Sequence, residues 1–193
     1  MSPSGLVEVI HWLEGVFDRL GLKRSYGGAV AYNYYGPPRL TQDVDLLALV
    51  PDLKAPSLVE ALQAEGCRSP GPPARPIELK NVLDDLRGKG RFTVFLCRGV
   101  PVELFVPWHP FHQKVLDRSP ERDLEGRRIR IHSAEDIIVF KKVFDRGKDL
   151  LDIKAILLAQ KGRLDTDRML ADAKQLLTEP SLKELRDLVD ACR

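Results

Sequence analysis

The spacing of apolar residues predicts helices at both ends of the chain and strands between them. Over residues 4–20, apolar side chains recur every three or four positions, with Ser4 as the helix cap and Gly21 as its end. Shorter helical patterns cover residues 25–35 and 56–65. After Ser133 the same spacing predicts helices at residues 133–145, 149–160, 165–177 and 181–192.

Strand patterns occupy the middle of the chain. The run from Leu46 to Val50 is apolar without a break, so the strand predicted for residues 43–50 should lie inside a sheet. Further strands are predicted at residues 91–97, 102–106 and 128–132, the first two joined by a hairpin turn at residues 98–101. Residues 68–76 predict a surface loop, because the prolines and glycine at positions 70–73 exclude regular structure.

This order of elements predicts an α+β fold. Residues 1–132 would form the α/β core, and residues 133–193 a helical C-terminal part that packs on it. The chain has 193 residues, 44% of them hydrophobic and 30% charged, which is typical of a globular protein with a sizeable core. The net charge of +2 does not by itself predict nucleic-acid binding. Basic clusters at residues 118–130 and 141–148 are more typical of solvated surfaces than of a polyanion-binding site, and polyanion binding is kept as the alternative.

The cysteines and the apolar segments predict a cytoplasmic protein. The three cysteines, Cys67, Cys97 and Cys192, form no Cys-x-x-Cys pair, so neither a disulfide framework nor a zinc site is predicted. The N-terminus lacks the basic start and the long apolar stretch of a signal peptide. No apolar run approaches the ~20 residues of a bilayer span, so no membrane partner is expected.

Two carboxylates at the head of the predicted central strand are the first candidates for chemistry. Asp43 and Asp45 are one residue apart, and the period of a strand places both on one face, about 6.5–7 Å apart along the backbone. Two like charges on one face repel each other unless a cation neutralises them. A metal site is therefore the first hypothesis.

A third carboxylate and a glycine pair extend this hypothesis. Glu103 alternates with apolar residues and could join the aspartates if its strand lies about 4.8 Å from theirs; otherwise it is a solvent-facing glutamate. Three such carboxylates can hold two magnesium ions for phosphoryl or nucleotidyl transfer. Gly27 and Gly28, at a predicted helix start, would let backbone N–H groups approach phosphate oxygens, although a glycine pair can also mark only a turn.

Together these motifs resemble a known family. The Gly-Gly pair followed by Arg-x-Thr-x-Asp-x-Asp, within residues 26–45, resembles the signature of the nucleotidyltransferase superfamily, and more narrowly that of AbiEii-type nucleotidyltransferase toxins and their minimal relatives. Downstream, residues 133–141 and 146–153 are similar to the helical motif that closes the active site in that group. The resemblance covers about residues 22–160. It implies a nucleotidyltransferase-like mixed β-sheet flanked by helices.

The resemblance also implies a role for each motif position. The metal ions, Mg²⁺ or Mn²⁺, would be held by Asp43, Asp45 and Glu103, and Glu103 could also help to deprotonate the acceptor hydroxyl. The other implied roles are phosphate cradling by Gly27 and Gly28, triphosphate contact by Lys141, ordering of the closing helix or acceptor positioning by Asp149 and Asp152, and support of the metal loop by Arg39 and Thr41.

One position departs from the family pattern. Many members carry Ser or Thr after the glycines or in place of the second one, where this chain has Ala29. Ser25 or Tyr26 must then supply the hydroxyl, or that phosphate contact is absent.

The implied activity is metal-dependent transfer of a nucleoside monophosphate from a nucleoside triphosphate to an acceptor hydroxyl. The acceptor would be RNA, such as tRNA, or a protein, and the chain could act as the toxin of a toxin–antitoxin or phage-defence pair with an antitoxin partner. One alternative is a protein of this fold that binds nucleotide or a partner without catalysis, although the intact carboxylate set argues against it. A glycosyltransferase with Asp-x-Asp is a third hypothesis, disfavoured because the apolar run follows Asp45 and the chain is short.

Overall fold

A six-stranded mixed sheet lies at the centre of the computed structural model, which describes residues 3–88 and 92–192. Within these residues the sheet has the strand order β1-β2-β6-β5-β3-β4, and a separate hairpin pairs β7 with β8. The strands are β1 Arg24–Tyr26, β2 Val44–Ala48, β3 Arg68–Ser69, β4 Arg75–Pro76, β5 Phe92–Cys97, β6 Val100–Phe105, β7 Glu121–Leu124 and β8 Arg127–Arg130. Together with the flanking helices, this sheet confirms the predicted α+β class.

Helices precede, interrupt and follow the sheet. They are α1 Pro3–Leu20, α2 Gly28–Tyr32, α3 Ala55–Ala64, α4 Leu79–Arg87, α5 Pro110–Arg118, α6 Ala134–Phe144, α7 Gly147–Ala159, α8 Thr166–Ala173 and α9 Glu179–Cys192, with a 3-10 turn at Asp52–Lys54. Within the described residues, no helix combines the length and the apolar character that crossing a membrane requires.

The central strand β2 determines where the candidate residues lie. It pairs antiparallel with β1 and parallel with β6, which confirms the predicted interior position of its apolar run. On β6, Val102 and Leu104 are fully buried, whereas Glu103 is only partly buried. The alternation of the strand therefore separates a core face from a face that carries the acidic side chain.

Part of the helix predicted for residues 25–35 is in fact a strand. Ser25 and Tyr26 belong to β1, where they pair with Leu47 and Leu46 of β2, and the helix covers only Gly28–Tyr32. Ser25 and Tyr26 form a strand because the neighbouring β2 offers backbone hydrogen-bond partners. Local periodicity gives no sign of this long-range contact.

The proline-rich stretch is less irregular than predicted. Two short strands, β3 and β4, flank the bends at positions 70–73 and pair with each other, so only the middle of the predicted loop lacks regular structure. The elements α4, α5 and β7 were not predicted from the sequence. Arg91, the predicted first residue of β5, lies outside the described residues, as do residues 1, 2 and 193 of the two predicted parts.

The helix boundaries differ from the predictions by a few residues. Ser4 lies inside α1 instead of capping it, whereas Gly21 follows the helix at a φ of 65°, as a helix-ending glycine does. Ser133 caps α6 by accepting a hydrogen bond from the backbone N–H of Asp136, at 3.2 Å. The helix predicted for residues 165–177 ends at Ala173, and the last helix begins at Glu179.

Candidate active site

Parallel pairing of two strands brings the predicted carboxylates together. In the β2–β6 ladder Asp45 is the register partner of Glu103, so the two side chains extend from the same face of neighbouring strands. Asp43 lies two residues before Asp45, at the entrance to β2. The strand adjacency on which the Glu103 hypothesis depended is thus confirmed. We call these three residues the carboxylate cluster.

The charges of the carboxylate cluster are only partly compensated by the part of the protein that the structure describes. Among the described residues, no basic side chain forms an ion pair with any of the three carboxylates. Burial, followed by repulsion from Asp43 and Glu103, raises the pKa of Asp45 to about 6, while Arg146 and Lys141 partly oppose the shift. The site therefore attracts a proton or a cation.

The donor chemistry of the cluster fits magnesium or manganese. Within residues 3–88 and 92–192, no three His, Cys, Asp or Glu side chains form a ready-made metal-binding group. One oxygen of Asp43 accepts a hydrogen bond from the Thr41 hydroxyl at 2.7 Å. Mg²⁺ is usually held by one or two carboxylates together with waters and substrate phosphates, not by a closed protein cage. The carboxylate oxygens of the cluster therefore suit an ion whose remaining ligands are waters and substrate phosphates.

The two glycines allow the backbone to approach these carboxylates closely. A Cβ at Gly28 would lie 1.6 Å from an Asp45 carboxylate oxygen, and the residue has a φ of 50°, which favours glycine. A Cβ at Gly27 would lie 2.7 Å from the His132 ring. The Gly27 N–H donates to the backbone carbonyl of Asp45 at 2.9 Å, so the turn is fixed to β2. Neither position tolerates a side chain without movement of its neighbours.

A second group of charged residues lies beside the cluster and is paired internally. The buried Lys141 ammonium donates to Asp149 at 3.2 Å and to Asp152 at 2.5 Å. The Arg39 guanidinium forms an ion pair with Asp152 at 3.1 Å. Both cations lie over the ring of Tyr32, at 5.1 Å for Arg39 and 5.8 Å for Lys141 from the ring centroid. We call Arg39, Lys141, Asp149 and Asp152 the ion-pair network.

Asp149 also fixes the start of α7. Its carboxylate accepts hydrogen bonds from the backbone N–H of Arg146, at 3.1 Å, and from the Arg146 side chain, at 2.7 Å. Burial disfavours the charged form, but the hydrogen bonds from Arg146 and Lys141 hold the pKa of Asp149 below its ordinary value. The Asp149 carboxylate therefore caps the first turn of α7, and Arg146 lines the same cavity as the carboxylate cluster.

One cavity of about 510 Å³ collects most of the predicted site residues. Its walls include Gly27, Gly28, Arg39, Thr41, Asp43, Asp45, Glu103 and Lys141. Asp149 and Asp152 are not part of the wall, but they form ion pairs with the wall residues Arg39, Lys141 and Arg146. The cavity wall thus brings together residues from β2, β6, α6 and the Gly27–Gly28 turn.

Several cavity residues were missed by the sequence analysis. Arg146 and Lys148 add positive charge to the wall, and the downstream motif that contains them was the available signal. His132 and His112 both stack on Phe140, with centroid distances of 5.1 and 5.5 Å, and nothing in their sequence spacing indicated this. Burial lowers the pKa of His132 to about 3 and that of His112 to about 4, so both rings are neutral near pH 7.

No family model and no curated protein matches this chain. Solved structures do match it over nearly its whole length. The antibiotic-resistance factor ANT(2'')-Ia is 15% identical, with coverage of 98% of this chain and 94% of the other, at a TM-score of 0.54. The same factor in complex with adenylyl-2''-tobramycin is 15% identical, with coverage of 97% and 98%, at a TM-score of 0.51.

A nucleotidyltransferase-like antigenic protein from Paracoccidioides brasiliensis is also similar. It is 19% identical, with coverage of 96% of this chain and 93% of that chain, at a TM-score of 0.52. At this level of identity the similarity establishes the fold. The chain therefore has a nucleotidyltransferase-like fold, as the sequence motifs predicted.

Proposed function

We propose that this protein is a metal-dependent nucleotidyltransferase, which transfers a nucleoside monophosphate from a nucleoside triphosphate to an acceptor hydroxyl. The observation that carries the proposal is the register pairing of Asp45 with Glu103. It places two incompletely compensated carboxylates side by side in the wall of a cavity, with Asp43 next to them. The nucleotidyltransferase-like fold supports the same conclusion.

In this proposal Asp43, Asp45 and Glu103 hold Mg²⁺ or Mn²⁺. The ion supplies positive charge that offsets the charge of the triphosphate and of the leaving pyrophosphate. Glu103 is also a candidate to accept the proton of the acceptor hydroxyl. The acceptor oxygen attacks the α-phosphorus, the bond between the α-phosphorus and its bridging oxygen breaks, and pyrophosphate leaves.

The phosphates would be contacted from two sides of the cavity. Gly27 and Gly28 present backbone without side chains next to Asp45. Lys141 lines the cavity with an ammonium group that has three N–H donors, of which the two bonds to Asp149 and Asp152 leave one for a phosphate oxygen. Arg39, held by Asp152, adds a second cation, with Thr41 supporting the Asp43 loop.

RNA, such as tRNA, or a protein is the proposed acceptor. The cationic side chains of Arg39, Arg146 and Lys148 in the cavity wall suit a polyanion such as RNA. The motif resemblance to AbiEii-type toxins supports a toxin role with an antitoxin partner. A small-molecule hydroxyl is the second candidate, because the similar factor ANT(2'')-Ia has been solved with adenylyl-2''-tobramycin.

Labelled nucleotides test the proposal directly. The purified protein is incubated with Mg²⁺ or Mn²⁺, each of the four α-labelled nucleoside triphosphates, and total tRNA, with labelling of the protein itself as a parallel readout. Label transfer with release of pyrophosphate is expected, and Asp45→Asn should abolish it. Asp117→Asn is the matched control, because Asp117 is exposed, pairs with Lys23 and lies outside the cavity.

The outcomes separate the alternatives. Nucleotide binding without consumption by any acceptor would favour the non-catalytic alternative. If the wild-type protein neither binds nor consumes any of the four nucleotides with either metal, the enzymatic proposal is wrong.

A further inference from the structure

Two cysteine residues outside the candidate active site lie opposite each other on the neighbouring segments of β3 and β5. Cys67 directly precedes β3, and Cys97 ends β5. These strands run antiparallel with Arg68 opposite Leu96, so Cys67, one residue earlier, lies opposite Cys97, one residue later. Both side chains are buried, with relative exposures of 2% for Cys67 and 0% for Cys97.

The two thiols also interact directly. Interaction with the Cys97 thiol, together with burial, raises the pKa of the Cys67 thiol. Residues directly opposite each other in an antiparallel pair have Cβ atoms about 4.5–5.5 Å apart. A disulfide needs a Cβ separation of about 3.5–4.5 Å, so a movement of about 1 Å is enough to join them.

We propose that Cys67 and Cys97 form a redox modification site, at which a low-molecular-weight disulfide such as glutathione disulfide converts the two thiols into an intramolecular disulfide. The Cys97 thiolate attacks one sulfur of glutathione disulfide, whose S–S bond breaks and releases one glutathione thiolate. The Cys67 thiolate then attacks the Cys97 sulfur of the mixed disulfide and expels the second glutathione. The two cysteine protons end on the two released glutathione thiols, and two electrons pass from the cysteines to the oxidant.

The reaction requires β3 to separate briefly from β5, because both sulfurs are buried. β3 and β5 share one register pair, Arg68 with Leu96, whereas β5 and β6 share six. The β3–β5 junction is therefore held by far fewer backbone pairs than the part of the sheet that carries Glu103. Local opening at this junction gives the oxidant access without unfolding the carboxylate cluster.

The disulfide would lie away from the candidate active site. Phe95 of β5 pairs with Val102, and Cys97, two residues further on, shares the core face with them. Glu103 extends from the opposite face. We therefore expect oxidation to stabilise the fold, by closing the chain segment between Cys67 and Cys97 in the unfolded state, and to leave nucleotide binding unchanged. The inference does not depend on the proposed nucleotidyl transfer.

The test uses the full chain with Cys192→Ser, which removes the third thiol. The protein is equilibrated in glutathione buffers of graded potential, the remaining thiols are alkylated, and a non-reducing digest is analysed by mass spectrometry. We expect a cross-linked peptide pair that contains Cys67 and Cys97. Its ratio to the alkylated dithiol should change about tenfold for each ~30 mV of buffer potential.

The matched controls are Cys67→Ala and Cys97→Ala in the Cys192→Ser background. Neither control should form the cross-link, and oxidation should raise the thermal unfolding midpoint of the parent protein only. The proposal is overturned if the parent protein yields only free thiols or glutathione adducts at every potential. It is equally overturned if the cross-link forms only under denaturing conditions.

Discussion

Two groups of charged residues share one cavity and differ in how their charge is compensated. The carboxylate cluster on β2 and β6 has three like charges and, among the described residues, no ion-pair partner. The ion-pair network on α6, α7 and the loop before β2 matches each cation with a carboxylate. The first group is electrostatically unfavourable without a ligand, whereas the second is satisfied by the protein alone.

This difference suggests different tasks for the two groups. Like charges held together lower stability, and a cation that binds there is favoured by the relief of repulsion. Paired charges instead fix the positions of their side chains before any ligand arrives. We therefore expect changes in the carboxylate cluster to alter metal binding and chemistry, and changes in the ion-pair network to alter nucleotide affinity.

The largest expected effect is the loss of catalysis on neutralising Asp45. Asp45→Asn keeps the size of the side chain but removes a proposed metal ligand, so pyrophosphate release should fall by about a thousandfold or more, since each ~1.4 kcal/mol of lost transition-state stabilisation is tenfold in rate. The same change removes repulsion, so the thermal midpoint without metal should rise. Both quantities are measured beside Asp117→Asn, which should keep the wild-type rate of pyrophosphate release and show no rise in the thermal midpoint, because it loses the ion pair with Lys23. A less stable Asp45→Asn protein would contradict the assignment of incompletely compensated charge.

The second prediction concerns pH. The pKa of Asp45 is raised to about 6 in the folded protein, so the folded state holds this proton more tightly than the unfolded chain, whose Asp pKa is about 4. The contribution to stability is complete below about pH 4 and is lost as the pH rises through about 6. The unfolding free energy of the wild type, minus that of Asp45→Asn, should fall by about 3 kcal/mol over this window.

Urea unfolding at a series of pH values measures this difference. Because both proteins share every other titrating group, the subtraction leaves the titration of Asp45 together with its interactions with Asp43 and Glu103. A difference that stays constant, or that grows with pH, would show that the pKa of the Asp45 carboxyl is not raised in the folded protein.

Adding a methyl group to the glycine turn should have the third-largest effect. Gly28→Ala forces a Cβ to within 1.6 Å of an Asp45 oxygen at a φ of 50°, which should cost about 1–3 kcal/mol and displace the carboxylate. Gly147→Ala is the control, because its Cβ would meet no atom within 4 Å. Urea titration and pyrophosphate release are compared for the two variants. Full activity in Gly28→Ala would exclude the close approach on which the site geometry depends.

The smallest predicted effect is on the ion-pair network. Asp152→Asn removes the partner that Lys141 and Arg39 share, while Asp149 still pairs with Lys141. We expect nucleotide affinity to weaken by roughly tenfold, about 1.4 kcal/mol, with a smaller change in turnover at saturating nucleotide. Calorimetric titration with a nucleotide measures the affinity, and Asp187→Asn on the exposed side of α9 is the control. A large fall in turnover with unchanged affinity would instead assign Asp152 to acceptor positioning.

The members of the carboxylate cluster were predictable one by one, because their spacing follows local periodicity. The spacing of Asp43 and Asp45, the alternation around Glu103 and the glycine pair all follow from rules that act within a few residues. The parallel pairing of β2 with β6 was not predicted; the hypothesis for Glu103 only assumed it, because no local signal links residues 45 and 103.

The remaining features depend on long-range contacts. β1 is a strand because β2 supplies its backbone partners. The ion pairs of Asp152 with Lys141 and Arg39 also join the helices α6 and α7 to the distant loop before β2. Such pairings leave no periodic trace in a single sequence.

Counting bound Mn²⁺ by electron paramagnetic resonance tests the central assignment most directly. The wild type and Asp45→Asn are titrated with Mn²⁺, with and without a nucleoside triphosphate analogue that cannot be cleaved between the α- and β-phosphates. We expect the wild type to bind Mn²⁺ together with the analogue, and Asp45→Asn to lose this binding while remaining folded. Equal Mn²⁺ binding by the two proteins would contradict the assignment of Asp43, Asp45 and Glu103 as the metal-holding residues.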